Sequence, residues 1–394
     1  MVRRGAVNTD TVAAVARDLA LVRGLPFTSD VPARLLDDTQ VAALITQELE
    51  RDFQPGDLDR MTLVYERLGL LPPGSPLGPA VNSLLADQIA ALYDPRSKTL
   101  ALTAGGLRQQ TFGLWVPQFL TGRDVLGETL TAHELTHALQ DQHYGLPTST
   151  APITDAHGDR EVARRALVEG DASLASVAYV RGGPLDPATV EHFVEQVATI
   201  PEELRGRHPD VPEVLRAGLA FQYNAGSYFV ARAYLQGGWV AVDAAHRDPP
   251  ASTEQILHPE KYFDTRDQPV EITLGGTERL ERQGFRRVLE DTFGELDVRV
   301  LAGRTFDPPR AATVAAGWGG DRCRALLRGD EVAIVWLSTW DAVTDAVEFE
   351  AAIPVLVQGA RIERRGSHVL VVVGPEPHRL AANVWARSRI TPAG

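Results

Sequence analysis

The stretch Thr131-Ala132-His133-Glu134-Leu135-Thr136-His137-Ala138-Leu139-Gln140-Asp141-Gln142-His143 contains a His-Glu-x-x-His pattern, and its reading governs that of the chain around it. The pattern carries chemistry only on a helix. At about 100° per residue, positions four apart return to nearly the same face one turn on. His133 and His137 can then offer two imidazoles to one Zn²⁺, while Glu134 leans from the flank toward a water beside it. Leu130, Ala132, Leu135, Ala138 and Leu139 favour a helix, and neither Pro nor Gly falls between Glu128 and Tyr144, so one is expected over about 123–144. The plainer alternative is a half-buried helix with ordinary histidines.

A catalytic zinc takes three protein ligands and keeps one position open. His143 follows His137 at the metzincin spacing, but that pattern needs a glycine where this chain has Gln140, and a downstream methionine where it has only Met1 and Met61, both upstream. Asp141 shares the face of His137 yet sits a full turn past the metal, a place for a solvated or supporting acid. Glu169, in Arg165-Ala166-Leu167-Val168-Glu169-Gly170-Asp171-Ala172-Ser173, lies on a separate expected helix over about 160–180. Ala166, Gly170 and Ser173 surround it with almost no side-chain bulk, so another helix can approach closely. A glycine inside a helix costs about 1 kcal/mol relative to alanine and wants a packing reason. Glu169 is therefore the favoured third ligand, against a chance acid on a packing helix.

Outward from this centre, the first hundred residues read as mixed α/β. Helices are expected over 10–21, from a cap at Asp38 or Thr39 to Phe53, and over 58–70, where Pro72-Pro73-Gly74 ends the last. Val31 to Leu36 reads as a strand, and 88–93 with 98–102 as a hairpin about the turn Asp94-Pro95-Arg96-Ser97. More helices follow near 188–204, 212–236 and 252–258. After about 265 the apolar runs Val332 to Trp340 and His368 to Val373, with the helical stretch 341–357 between them, suggest a small α+β module.

Composition narrows the function. Lys+Arg at 39 against Asp+Glu at 52 gives a net charge of −13, and all but Lys98 and Lys261 of the basic residues are scattered arginines. Such a chain lacks the basic footprint of nucleic-acid binding. One cysteine, Cys323, excludes a disulfide framework and a Cys-rich zinc site, which leaves His, Asp and Glu for any metal. No apolar run is long enough for a membrane span. Asp10, Arg17 and Asp18 interrupt any signal-peptide core behind Arg3-Arg4, so a cytoplasmic location is expected, or a secreted or cell-envelope one if the N-terminus was trimmed.

The His133–His143 block, the block Ala166-Leu167-Val168-Glu169-Gly170-Asp171-Ala172 and the block Pro249-Pro250-Ala251-Ser252-Thr253-Glu254-Gln255-Ile256-Leu257-His258-Pro259 together resemble gluzincin-type zinc metallopeptidases, and are similar to a group of little-characterised prokaryotic His-Glu-x-x-His proteins. The resemblance covers roughly residues 30–262. It implies a predominantly helical α+β fold: a zincin-like subdomain with a small mixed sheet and the active-site helix (31–150), and a helical subdomain with the glutamate ligand (151–264), behind the N-terminal helical segment (1–30) read above. A C-terminal α+β accessory module (265–394) completes the chain. It further implies one Zn²⁺ per chain held by His133, His137 and Glu169, and hydrolysis of a peptide or protein substrate with Glu134 as general base. The chain departs from thermolysin-like members, which carry an Asp four residues after the glutamate ligand; here that residue is Ser173, and Asp171 points about 200° from Glu169 on an ideal helix.

The oxyanion of such a reaction needs a donor besides the metal. His258, Tyr223 and Tyr228 are the candidates, although a His at a helix C-terminus commonly interacts with free carbonyls and the tyrosines sit in an aromatic run suited to core packing. Leu100, Ala101 and Leu102 are the candidate edge strand for pairing with substrate main chain. His157, among acids and glycine, suits a labile metal contact or a solvated loop. Trp318, Trp336 and Trp340 suit a binding surface or the core of the C-terminal module. The rival functions are a gluzincin-like binding or assembly protein without turnover, which has no need of the intact Glu134, and a zinc hydrolase of a non-peptide substrate.

Overall fold

Asn8, whose side chain accepts from the Thr11 amide, starts the N-terminal helix Thr9–Arg23, and Gly24 ends it in the left-handed conformation (φ 78°). In the computed structural model, which describes residues 1–3, 6–88, 91–103, 125–146 and 158–392, this helix follows the short paired strands Val2–Arg3 and Ala6–Val7 in a mixed α+β architecture dominated by helices. Val12, Val15 and Leu19 recur at helical spacing and bury one stripe in a cluster with Leu100, Leu102, Leu135 and Leu139. Among the described residues no helix is long and apolar enough to cross a membrane.

A three-stranded sheet comes next. Thr99–Thr103 lies in its centre, parallel to Ala33–Leu36 and antiparallel to Ala91–Asp94. Leu100, Ala101 and Leu102 are therefore not an edge: both sides of their strand are paired, and all three are buried. Leu100 and Leu102 enter one apolar cluster and Ala101 another with Leu36 and Leu44, so both faces of the strand are covered. The edges are Ala33–Leu36 and Ala91–Asp94, and the second lies beside the His-Glu helix. Upstream of Ala91–Asp94, Leu77–Gln88 is helical, so Gln88 belongs to a helix and not to the expected strand, while Ile89 and Ala90 lie outside the described residues.

Two helix boundaries also differ. Asp37, closing a capping box with Gln40, starts Asp38–Asp52 just before the expected cap. Gly69 (φ 82°) ends Asp57–Leu68 before the prolines are reached.

Three helices form the centre: the His-Glu helix Val125–Tyr144, the glutamate helix Gly158–Arg181, and a long helix Glu213–Arg247. The long helix continues past residue 236 across a break at Gly237 and Gly238, the latter at φ 62°. Gly170 has the packing reason its place demands, but the partner is not the His-Glu helix. A Cβ on Gly170 would overlap the Gly226 carbonyl of the long helix, and one on Gly226 would overlap the Ala166 carbonyl. The small face thus seats the long helix, and Glu169 leaves the glutamate helix beside that contact.

The C-terminal part is an antiparallel sheet in the order Arg361–Arg365, His368–Val373, Glu331–Trp340, Trp318–Arg328, Arg286–Asp291. Its side chains alternate between two cores: Ile334 and Trp336 join Phe349 and Leu301 on one face, while Val335 and Leu337 join Leu380 and Val384 on the other. Trp318, Trp336 and Trp340 are core, each at most 2% exposed. The first of these clusters also contains Ala166, Leu167 and Phe229 from the central helices, so one apolar interior is shared. This region holds the start of the glutamate helix as well. The Gly158 amide donates to Asp291 Oδ1 (2.9 Å) and the Asp159 amide to the Thr292 carbonyl (3.2 Å), and Asp159 accepts from the Thr253 amide (3.1 Å).

Carboxyls gather at this junction. Burial, with the charges of Asp291 and Asp321 added, pushes Asp297 up to about 8, and burial pushes Asp291 up to about 6. Between the ordinary carboxyl range near 3.8 and pH 8, the folded chain keeps a proton on Asp297 that the unfolded chain has released. Rising pH through that window therefore erodes stability, and falling pH restores it. Asp297→Asn removes the ionisation, so its melting temperature relative to wild type should climb by a few degrees between pH 5 and pH 8 and then level off. A difference that stays flat across melts at pH 5, 6.5 and 8 would contradict the assignment.

Candidate metal centre

His133 and His137 leave the His-Glu helix on one side, with ring centroids 4.8 Å apart and planes nearly perpendicular at 87°. Glu169 sends Oε2 toward both: it lies 3.1 Å from His133 Nε2 and 3.6 Å from His137 Nε2. A nitrogen from each ring and an oxygen of Glu134 lie within 4.8 Å of one another. His133 and Glu134 are buried, and His137 is half-buried.

The charges are mutually adapted. Burial would push Glu169 up, but His137 and His133 outweigh it and hold the carboxylate well below its usual range. Burial pulls the His137 imidazolium down, but Glu169, Glu134 and Gln140 lift it to about 9. For Glu134 burial prevails over His137, His133 and the Tyr93 amide, and its carboxyl rises.

Two imidazole nitrogens and one carboxylate oxygen form the donor set of a catalytic zinc site, and the hydrogen bonding fits it. His137 Nδ1 lies 2.8 Å from Gln140 Oε1, while Gln140 Nε2 donates to the Val168 carbonyl and to Asp171 Oδ2, each at 2.9 Å. A carbonyl and a carboxylate only accept, so they fix which end of the amide faces His137. His137 must then donate from Nδ1, which leaves Nε2 free to ligate. His133 Nδ1 is buried without a partner among the described residues.

Glu134 is held from outside its helix. The Tyr93 amide, on the edge strand, donates to Glu134 Oε2 at 2.8 Å. The same hairpin is locked to the His-Glu helix by Asp141, which accepts from the Tyr93 hydroxyl (2.7 Å) and pairs with Lys98 Nζ (2.5 Å). Asp141 is thus a buried strut, neither ligand nor solvated acid.

Of the three donor candidates, the structure brings Tyr223 to the centre. Its ring lies 6.3 Å from that of His133, and its hydroxyl bonds Glu169. Burial, then the charges of Glu169 and Glu134, raise Tyr223 well above its ordinary value, so it remains a donor. Tyr228 is 46% exposed and has no site contact among the described residues. His258 is engaged elsewhere, with Nε2 on Glu295 (2.9 Å) and Nδ1 near Glu260 (3.7 Å). The short helix before it, Thr253–Leu257, packs on Asp159, ten residues and about 15 Å along the glutamate helix from Glu169. His143 bonds the Pro26 carbonyl, and His157 lies outside the described residues.

Tyr93, Gln140 and Arg23 were not singled out in the sequence. Gln140 had a signal, as the residue standing where a metzincin turns on glycine. Tyr93 acts through its backbone, which no side-chain pattern can reveal, and Arg23 is one arginine among many.

The geometry defines a class of site, a two-histidine, one-glutamate centre with an adjacent buried carboxyl. A family model described as a domain of unknown function, DUF8575, matches residues 279–384, the C-terminal sheet and its helices and not the metal centre. No curated protein and no solved structure matches the chain.

Proposed function

We propose that this protein is a gluzincin-like zinc metallopeptidase, with His133, His137 and Glu169 as ligands and Glu134 as general base. The observation that carries the reading is the approach of Glu169 Oε2 to both Nε2 atoms, with a Glu134 oxygen alongside. A Zn²⁺ in that donor set supplies Lewis acidity toward water and the scissile carbonyl. Glu134, raised by burial and held by the Tyr93 amide, takes a proton from the attacking water and returns it to the departing amine. Tyr223, kept protonated, can turn its hydroxyl from Glu169 to donate to negative charge that develops on the substrate oxygen.

A peptide is favoured over other acyl substrates by the strand beside the base. Backbone groups alternate sides along a strand, and the Tyr93 N–H points away from Thr99–Thr103 toward Glu134. Ala91 therefore presents its N–H and C=O along the same edge, unpaired with any strand among the described residues, where an extended main chain can add as a further strand.

Purified chain should contain about one zinc by elemental analysis, and the reconstituted protein should cleave casein or a quenched-peptide library. His137→Ala and Glu169→Ala should each reduce bound zinc to near zero after dialysis against dilute chelator. Full zinc retention in either variant would remove that residue from the ligand set.

A further inference from the structure

Arg23 closes the N-terminal helix and is wholly buried, an expensive place for a guanidinium unless it is paired. Its Nε and Nη2 donate to the two oxygens of Asp171 at 2.8 and 3.2 Å, its Nη1 meets Asp243 Oδ1 at 2.8 Å, and its Cζ lies over the Trp239 ring, 4.6 Å from the centroid. Asp171 also receives His246 Nε2 at 2.9 Å, and its Oδ2 is one of the two acceptors that orient Gln140. Tyr144, which ends the His-Glu helix, donates to Asp243 and stacks on His246 with ring centroids 4.6 Å apart.

We propose that Arg23, Asp171 and Gln140 form a positioning relay through which the N-terminal helix sets the tautomer and aim of His137. The inference rests on the zinc-site reading above and extends it to residues that touch neither metal nor substrate. The logic is one of donors and acceptors. Arg23 fixes the Asp171 carboxylate, which demands a donor from Gln140; the amide must then turn its oxygen to His137, and the imidazole must present Nε2 to the metal. A neutral amide in the middle separates the negative charge of Asp171 from the His137 imidazole. Asp171 therefore supports the second histidine through Gln140, a role its angle to Glu169 does not reveal.

Gln140→Met preserves length, leaves the Arg23 pairs intact and breaks the relay, at the cost of one further bond, to the Val168 carbonyl. It should weaken zinc affinity, measured against a chromophoric chelator, by about 10–100-fold. It should also change the d–d spectrum of the Co²⁺-substituted protein, with circular dichroism and melting temperature near those of wild type. Arg23→Lys, which keeps the charge but loses the two-pronged grip on Asp171, should fall between the two in affinity. A Gln140→Met protein with wild-type affinity and an unchanged Co²⁺ spectrum would overturn the relay. A wild-type chain that binds neither Zn²⁺ nor Co²⁺ would overturn the metal-site reading and the relay with it, and is told apart by the parent measurement alone.

Discussion

Glu134→Gln is expected to lower peptide hydrolysis by about 10²–10⁴-fold while the protein retains its zinc and its fold. The substitution is nearly isosteric, and the new amide oxygen can still accept from the Tyr93 N–H that holds Glu134 at 2.8 Å. What is lost is the capacity to accept a proton. The three proposed ligand side chains are untouched, so metal content should match wild type. The paired measurement is kcat/KM on a peptide substrate together with zinc per chain. An active Glu134→Gln enzyme would sink the mechanism, whereas loss of both activity and zinc would place Glu134 among the ligands.

The second large effect concerns architecture and stands apart from any functional reading. Gly226→Ala should destabilise the protein by about 3 kcal/mol or more. A Cβ there overlaps the backbone of Ala166, and neither element has a flexible side chain at the contact that could yield. The helices must separate or the glutamate helix must slide, which moves Glu169 relative to His133 and His137. Gly218→Ala on the same long helix is the control. A Cβ at Gly218 meets nothing within 4 Å, so that change should be neutral or stabilise by about 0.5–1 kcal/mol through helix propensity. Denaturant melts of the two variants should shift in opposite directions. Equal, small shifts would mean the close approach is not as drawn.

Much of the centre was legible because helical geometry is local. A four-residue spacing on an uninterrupted helix puts His133 and His137 together whatever the fold, and a glycine within a helix announced close packing near Glu169. What packed there was not legible: nothing at Ala166 or Gly170 says whether the neighbour is the His-Glu helix or the long helix carrying Gly226. The misplacement of Leu100, Ala101 and Leu102 has a similar cause. A strand covered on both faces reads as a continuous apolar run, and an apolar run does not reveal whether its backbone edges are paired. His258 was a candidate donor, but Glu295 claims its Nε2 from far along the sequence. The strands Arg286–Asp291, Trp318–Arg328 and Arg361–Arg365 were missed. Their arginines and glycines mask the apolar positions that alternate toward the two cores.

The bond from Asp291 to the first amide of the glutamate helix bears on how this chain can be shortened. A fragment ending near residue 264 would keep all the proposed ligands, yet leave Gly158 and Asp159 without acceptors and strip one wall from the interior around Leu167. Such a piece should not survive as a minimal protease. The sheet that looks like a tail is the abutment against which the rod carrying Glu169 is braced.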